Sequence, residues 1–151
     1  MEEQKKALDP KKRPLGVTIL GGINCFILGG AVFLLSILVY INLNPESWEA
    51  VLEMLKEKAQ GLPLEYAQFK NSLLVQATIA AIYAVSGAGL LLRKEWARKL
   101  TLYFSFAMVL FLFISALTNP RFITQAVAQV FYPAILIIYF TNKKVESYFK
   151  T

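Results

Sequence analysis

Histidine is absent from this chain of 151 residues, and cysteine occurs once, at Cys25. Without imidazole there is no Ser-His or Cys-His nucleophile pair, no haem ligation by histidine, and few of the ligand sets that hold zinc. A single thiol excludes an intramolecular disulfide and a Cys-x-x-Cys redox pair. Charge is scarce too. Asp, Glu, Lys and Arg make up 17% of the residues, against about 25% in an ordinary soluble domain. The most informative absence is positional: no charged residue lies within the core of any long apolar run. Proton-coupled antiport, ion pumping and voltage sensing ordinarily use a charge held inside the membrane. A small four-helix drug exporter would be expected to carry a glutamate in its first span, and this chain has none.

What is present is apolar and continuous. Fully 56% of the residues are apolar, and they are gathered into runs rather than spread through amphipathic segments. Lipid is therefore the expected solvent for most side chains. The first run follows a basic segment but extends well past the roughly 7–15 residues of a signal-peptide core, so it reads as a retained anchor. The reading is all-α: a polytopic membrane protein with four transmembrane helices, at about 15–43, 70–92, 100–118 and 122–140 of the sequence. A cytoplasmic tail covers 1–14, the membrane domain 15–141, and a second cytoplasmic tail 142–151.

Between the first two spans, about 45–60, Asn44-Pro45 opens a different kind of helix. Trp48, Val51, Leu52, Leu55 and Ala59 repeat at the spacing of one apolar face, while Glu46, Glu49, Glu53 and Glu57 fall opposite. Gly61 and Pro63 stop it. This helix is expected outside the cytoplasm, with Trp48, Leu52 and Leu55 meeting lipid or a partner. Its acidic stripe reads as a solvated face, because calcium needs oxygens converging from several directions.

Orientation follows from Arg93-Lys94-Glu95-Trp96-Ala97-Arg98-Lys99, a basic turn between the second and third spans. Arg93, Lys94, Arg98 and Lys99 act as a topology signal, with anionic-lipid binding as a consequence. Five basic residues lie in the amino-terminal tail, four in this turn and three in the carboxyl tail, against four in the two outer segments. That asymmetry places both termini in the cytoplasm. It also explains a net charge of +6 without nucleic acid as a partner.

Helix packing is expected where small residues recur. Gly21, Cys25 and Gly29 form one strip on the first span, and Ala77, Ala81, Ala84 and Ala88 lie on the second, which should be central to the bundle. Cys25 is a packing residue in this reading. The third span, rich in Leu and Phe all round, should face lipid, and Pro133 should kink the fourth. Polar side chains within the spans have two readings. Asn24, Ser86, Ser105 and the glutamines could simply bond between helices. Alternatively, Gln76, Gln125, Gln129 and Tyr132 could line an outer polar cavity for a lipid headgroup or small solute.

Three short patterns carry a resemblance. They are Lys12-Arg13-Pro14-Leu15-Gly16-Val17, then Gly89-Leu90 followed by Trp96-Ala97-Arg98, then Ile138-Tyr139-Phe140 followed by Val145 and Phe149. In these the chain resembles small prokaryotic four-span integral membrane proteins with no assigned activity. The resemblance implies four spans in a bacterial or archaeal cell membrane and supplies no catalytic residues. The functional expectation is a non-enzymatic accessory or scaffold protein that binds membrane lipids and another membrane component, with no cofactor and no metal. The alternative is a homo-oligomeric small-solute transporter or pore. Catalysis on lipid ranks third, since no nucleophile stands beside a base.

Overall fold

The computed structural model describes residues 13–58, 65–118 and 123–150, with the side chains of 54–58 and of Gln125 outside the description. The described residues form helices joined by short connections, with no strand among them. One continuous helix of 28 residues, Leu15–Asn42, opens the chain. It comprises α1 (Leu15–Gly22), a π-helical segment (Ile23–Ala31) and α2 (Val32–Asn42). Then come α3 (Pro45–Lys58), α4 (Tyr66–Leu91), α5 (Glu95–Thr118), α6 (Ile123–Phe140) and the short α7 (Lys143–Phe149).

Among the described residues, three helices are long and apolar enough to cross a membrane: Leu15–Asn42, α4 and α5. With 18 residues, α6 reaches about 27 Å, close to the roughly 30 Å hydrocarbon thickness. Pro133 lies within it. The helix α4 is the hub. In its most apolar stretch 44% is buried, against 17% for each of the other two long helices. It runs antiparallel to the whole first helix and also packs on α5, which in turn packs on α6.

The π segment changes which residues of the first helix face inward. Buried positions there are Val17, Gly21, Asn24, Gly29 and Ser36. The expected strip of Gly21, Cys25 and Gly29 does lie against α4, with the Cys25 backbone close to Gly87, although the Cys25 side chain is only half-buried. A π-helix bonds i to i+5, and the five-residue step from Asn24 to Gly29 falls inside that segment. The extra residue brings Asn24 and Gly29 to the inward side, where Asn24 meets Tyr132 of α6 and Gly29 meets Ala84 of α4.

The small residues allow very close approach. A Cβ on Gly29 would overlap the backbone of Ala84, and one on Gly87 would lie 2.8 Å from both Cys25 Cα and Gly21 O. Gly21 faces Leu90 and Leu91. Ala77 and Ala80 are buried, while Ala81, Ala84 and Ala88 are half-buried along the same helix. In α5 the polar order is reversed from that of a soluble helix. Arg98, Thr101 and Ser105 are buried, and Phe106, Leu110, Phe111 and Phe113 are exposed. This is the pattern of a helix whose outer solvent is apolar.

Candidate functional site

Three helix carboxyl ends meet at one end of the bundle, and three arginines attend them. Carbonyls in the last turn of a helix have no partner within it and carry partial negative charge. Arg13 donates from Nη2 to Leu91 O, at the end of α4, over 2.7 Å. Arg98 donates from Nη1 to Phe140 O, the last residue of α6, over 3.1 Å. Arg93 donates from Nε to Tyr148 O in α7 over 2.7 Å, and its guanidinium stacks 4.4 Å from the Tyr148 ring centre. The guanidinium is suited to this double use, being planar, always charged and able to stack on aromatic faces.

The turn that presents these arginines is a Schellman cap. Lys94 N donates to Gly89 O and Arg93 N to Leu90 O, which satisfies two orphan carbonyls of α4. The residue in the left-handed conformation is Arg93, with φ of 58°, where glycine is the usual occupant. An L-residue there costs about 1–2 kcal/mol. The bond to α7 and the stacking on Tyr148 offset that cost. Glycine is used one turn earlier instead, since a Cβ on Gly89 would sit 2.5 Å from Ala97 Cβ and 3.0 Å from the Trp96 ring.

Asn142 caps α7 by accepting from Lys144 N at 3.0 Å. Val145, Tyr148 and Phe149 then bury themselves in the same core as Val17, Leu90, Ala97, Leu136 and Phe140. The described part of the first stretch, Arg13–Val17, therefore assembles at one place with Gly89–Arg98 and Ile138–Phe149. A Cβ on Gly16 would overlap the Tyr139 ring, which links the first stretch directly to the third.

Charge at this end is arranged around one carboxylate. Glu146 Oε1 lies 2.7 Å from Lys150 Nζ and 3.5 Å from Arg98 Nη2. The bond and charge of Lys150 hold its carboxyl below the usual range, and the charges of Arg98 and Lys143 lower it further. Of the four basic residues expected to mark topology, Arg93 and Arg98 are thus built into the fold. Lys94 is exposed, and Lys99 is exposed and paired with Glu95 at 3.0 Å.

Deeper in the bundle lies a second polar feature. The Tyr132 hydroxyl donates to Asn24 Oδ1 across the gap between α6 and the π segment. Tyr132 also stands edge-on to Tyr83, whose ring meets Phe104 at 5.2 Å. Ser86 donates to Tyr83 O at 3.1 Å. Asn24 Nδ2 and Ser105 Oγ are buried with no partner. Tyr132 is therefore turned toward Asn24, whereas Gln76 and Gln129 lie exposed on the surface. These residues are not drawn into one buried site, and Gln125 lies outside the described side chains.

The opposite end is aromatic and acidic. Trp48 is 7% exposed and packs on Phe69 and Tyr66, with ring centres 4.9 Å and 6.1 Å away. Expected to meet lipid or a partner, it is instead enclosed by its own chain, with Leu52 partly buried in the same cluster. Leu55 and Glu57 lie outside the described side chains. Glu46, Glu49 and Glu53 face outward.

No three His, Cys, Asp or Glu side chains gather as a ligand set among the described residues. Comparison with family models, curated proteins and solved structures finds no match to this chain.

Glu146 and Tyr148 went unnoticed in the sequence, and Arg13, quoted there in the first of the three patterns, is a helix cap that the sequence did not reveal. The 3, 4 spacing of Val145, Tyr148 and Phe149 is the signal that would have found the docked helix.

Proposed function

We propose that this chain is a non-enzymatic accessory or scaffold protein of a prokaryotic cytoplasmic membrane. It crosses four times, with both termini inside, α3 outside, and surrounding lipids as constant partners. The observation that carries this reading is how the interior is used. The small faces of the first helix and α4 close on each other, and Tyr132 donates to Asn24, so helix packing takes up most of the space between these helices. The charged chemistry lies at the two ends, where lipids and other membrane proteins would meet it.

Gln76 and Gln129, both exposed, support a second reading as a homo-oligomeric small-solute transporter or pore. Two amides on spans are costly toward hydrocarbon, and a ring of copies would bury them. Mass measurement of the protein extracted in mild detergent, with identification of copurifying chains, separates the two. A stoichiometric foreign membrane protein supports the accessory role. A closed ring of this chain alone overturns it in favour of the pore.

A further inference from the structure

Arg98 is 6% exposed, yet its guanidinium is incompletely used. Its Nη1 is taken by Phe140 O. The remaining side-on edge of the fork, Nη2 and Nε, is the edge that accepts two oxygens from a carboxylate or phosphate. Here it holds a single carboxylate oxygen, Glu146 Oε1, 3.5 Å from Nη2. The adjacent Nε is buried with no partner at all. A buried donor without an acceptor is destabilising, so the edge is poorly filled by the group that occupies it.

That group is also drawn elsewhere. The same oxygen of Glu146 is held more closely by Lys150, at 2.7 Å. Lys143 acts on it by charge as well. Three cations therefore surround one carboxylate, which is 33% exposed and able to move outward with Lys150. Across the described residues of this end, Arg13, Arg93, Lys94, Arg98, Lys99, Lys143, Lys144 and Lys150 face only Glu95 and Glu146. The surplus favours an incoming anion.

We propose that Arg98, Lys143 and Lys150 form a binding site for a phosphate group, and that Glu146 is the built-in occupant which the phosphate displaces. A phosphate offers two oxygens to the Nη2–Nε edge where Glu146 offers one, and leaves others for the two lysines. An anionic lipid headgroup or a phosphorylated solute would supply the same chemistry. Only the lipid source rests on the reading of this end as lying at a membrane surface.

The test uses the full chain in lipid nanodiscs containing phosphatidylcholine alone or with phosphatidylglycerol. Glu146→Gln removes the competing charge while keeping the side chain's size. Native mass spectrometry should show phosphatidylglycerol retained about fivefold or more over wild type, within the usual range of coupling between competing ligands. Adding Arg98→Lys to that variant keeps the charge, removes the fork, and should abolish the gain. Hydrogen exchange of the α7 amides checks that each variant keeps this helix docked. Should α7 come loose in the double variant, Lys150→Gln with Glu146→Gln replaces it, with the same loss expected.

Inorganic phosphate titrated into phosphatidylcholine discs separates the sources. A thermal shift of Glu146→Gln by phosphate, without selective lipid retention, keeps the site and makes its ligand a soluble phosphate compound. Equal retention by wild type and Glu146→Gln, with no phosphate shift in either, overturns the proposal. Retention that survives replacement of Arg98 also overturns it, because the attraction would then be one of general charge.

Discussion

The two ends of this bundle are closed by different physics. At the acidic end, closure is apolar: Trp48, Leu43 and Leu73 are buried, with Tyr66 and Phe69 packed around them. Polar contacts there are mostly local, such as the Asn44–Ser47 bonds that start α3, with Tyr66 OH donating across to Leu43 O at 3.0 Å and Lys70 lying 4.9 Å from the Tyr40 ring centre. At the basic end an apolar core is present too, but arginines reach through it to helix carbonyls. The contrast teaches that charge near a membrane end is not only an address label. Arg93 and Arg98 complete the fold, while Lys94 and Lys99 stay exposed.

If this distinction is right, replacing Arg98 should have the largest effect. Arg98→Leu leaves Phe140 O without its donor and removes a cation from Glu146. The loss should be about 1.5–3 kcal/mol, the range for hydrogen bonds to charged groups. It should fall short of the roughly 3–5 kcal/mol of a fully buried pair, because Glu146 keeps Lys150. Thermal unfolding in detergent and increased exchange across α7 would register it.

Gly87→Ala should come next. The new Cβ would meet the backbone of Cys25, which cannot turn aside as a side chain can. Overpacking of this kind costs about 1–3 kcal/mol, less whatever alanine gains in helix propensity. Gly22→Ala is the contrasting case, with nothing within 4 Å of the new Cβ, and should be neutral or mildly stabilising. Equal losses in the two variants would break the account of close approach by α4.

Trp48→Ala should act locally. Exchange should rise in α3 and around Tyr66, while protection of α7 and the α4–α5 turn stays unchanged, because the two clusters share no residue. A matching loss at both ends would mean that they are coupled and would blur the comparison.

The smallest effect is that of pH. The Glu146 carboxyl lies below its ordinary value of 4.5, so its contribution is fully present above that value. It is lost as pH falls through the lowered value. Wild type should therefore lose protection of α7 in acid below about pH 4.5, and Glu146→Gln should show no such step.

Much of the bundle was legible because lipid-sized apolar runs are long and unambiguous. The start of α3 followed from Pro45, the end of α4 from the Arg93–Lys99 turn, and the central place of α4 from its alanines and glycines. By contrast, α4 begins at Tyr66 and α5 at Glu95, earlier than the expected 70 and 100, because polar interfacial residues extend both helices beyond their apolar runs. The stop expected at Gly61 and Pro63 lies outside the described residues. The π segment was not legible. Its residues satisfy α-helical spacing equally well, and the inward place of both Asn24 and Gly29 depends on i to i+5 bonding that the spacing does not announce. The arginine caps were hidden for another reason. A lysine or arginine near a span end carries the same sequence signal whether it points to water or to a carbonyl 42 residues away, as Arg98 does. Tyr132 shows the same limit, since its spacing matched the glutamines of α6 while its hydroxyl reaches Asn24 on the first helix.

The most direct test of the account is which side of the membrane each end occupies. With Cys25→Ser as background, Glu49→Cys and Lys144→Cys place single thiols at exposed positions of the acidic and basic ends. A membrane-impermeant maleimide applied to intact cells should label position 49 at once and position 144 only after the membrane is opened. Labelling of position 144 in intact cells, or of both positions alike, would contradict the orientation on which the contrast between the ends is built.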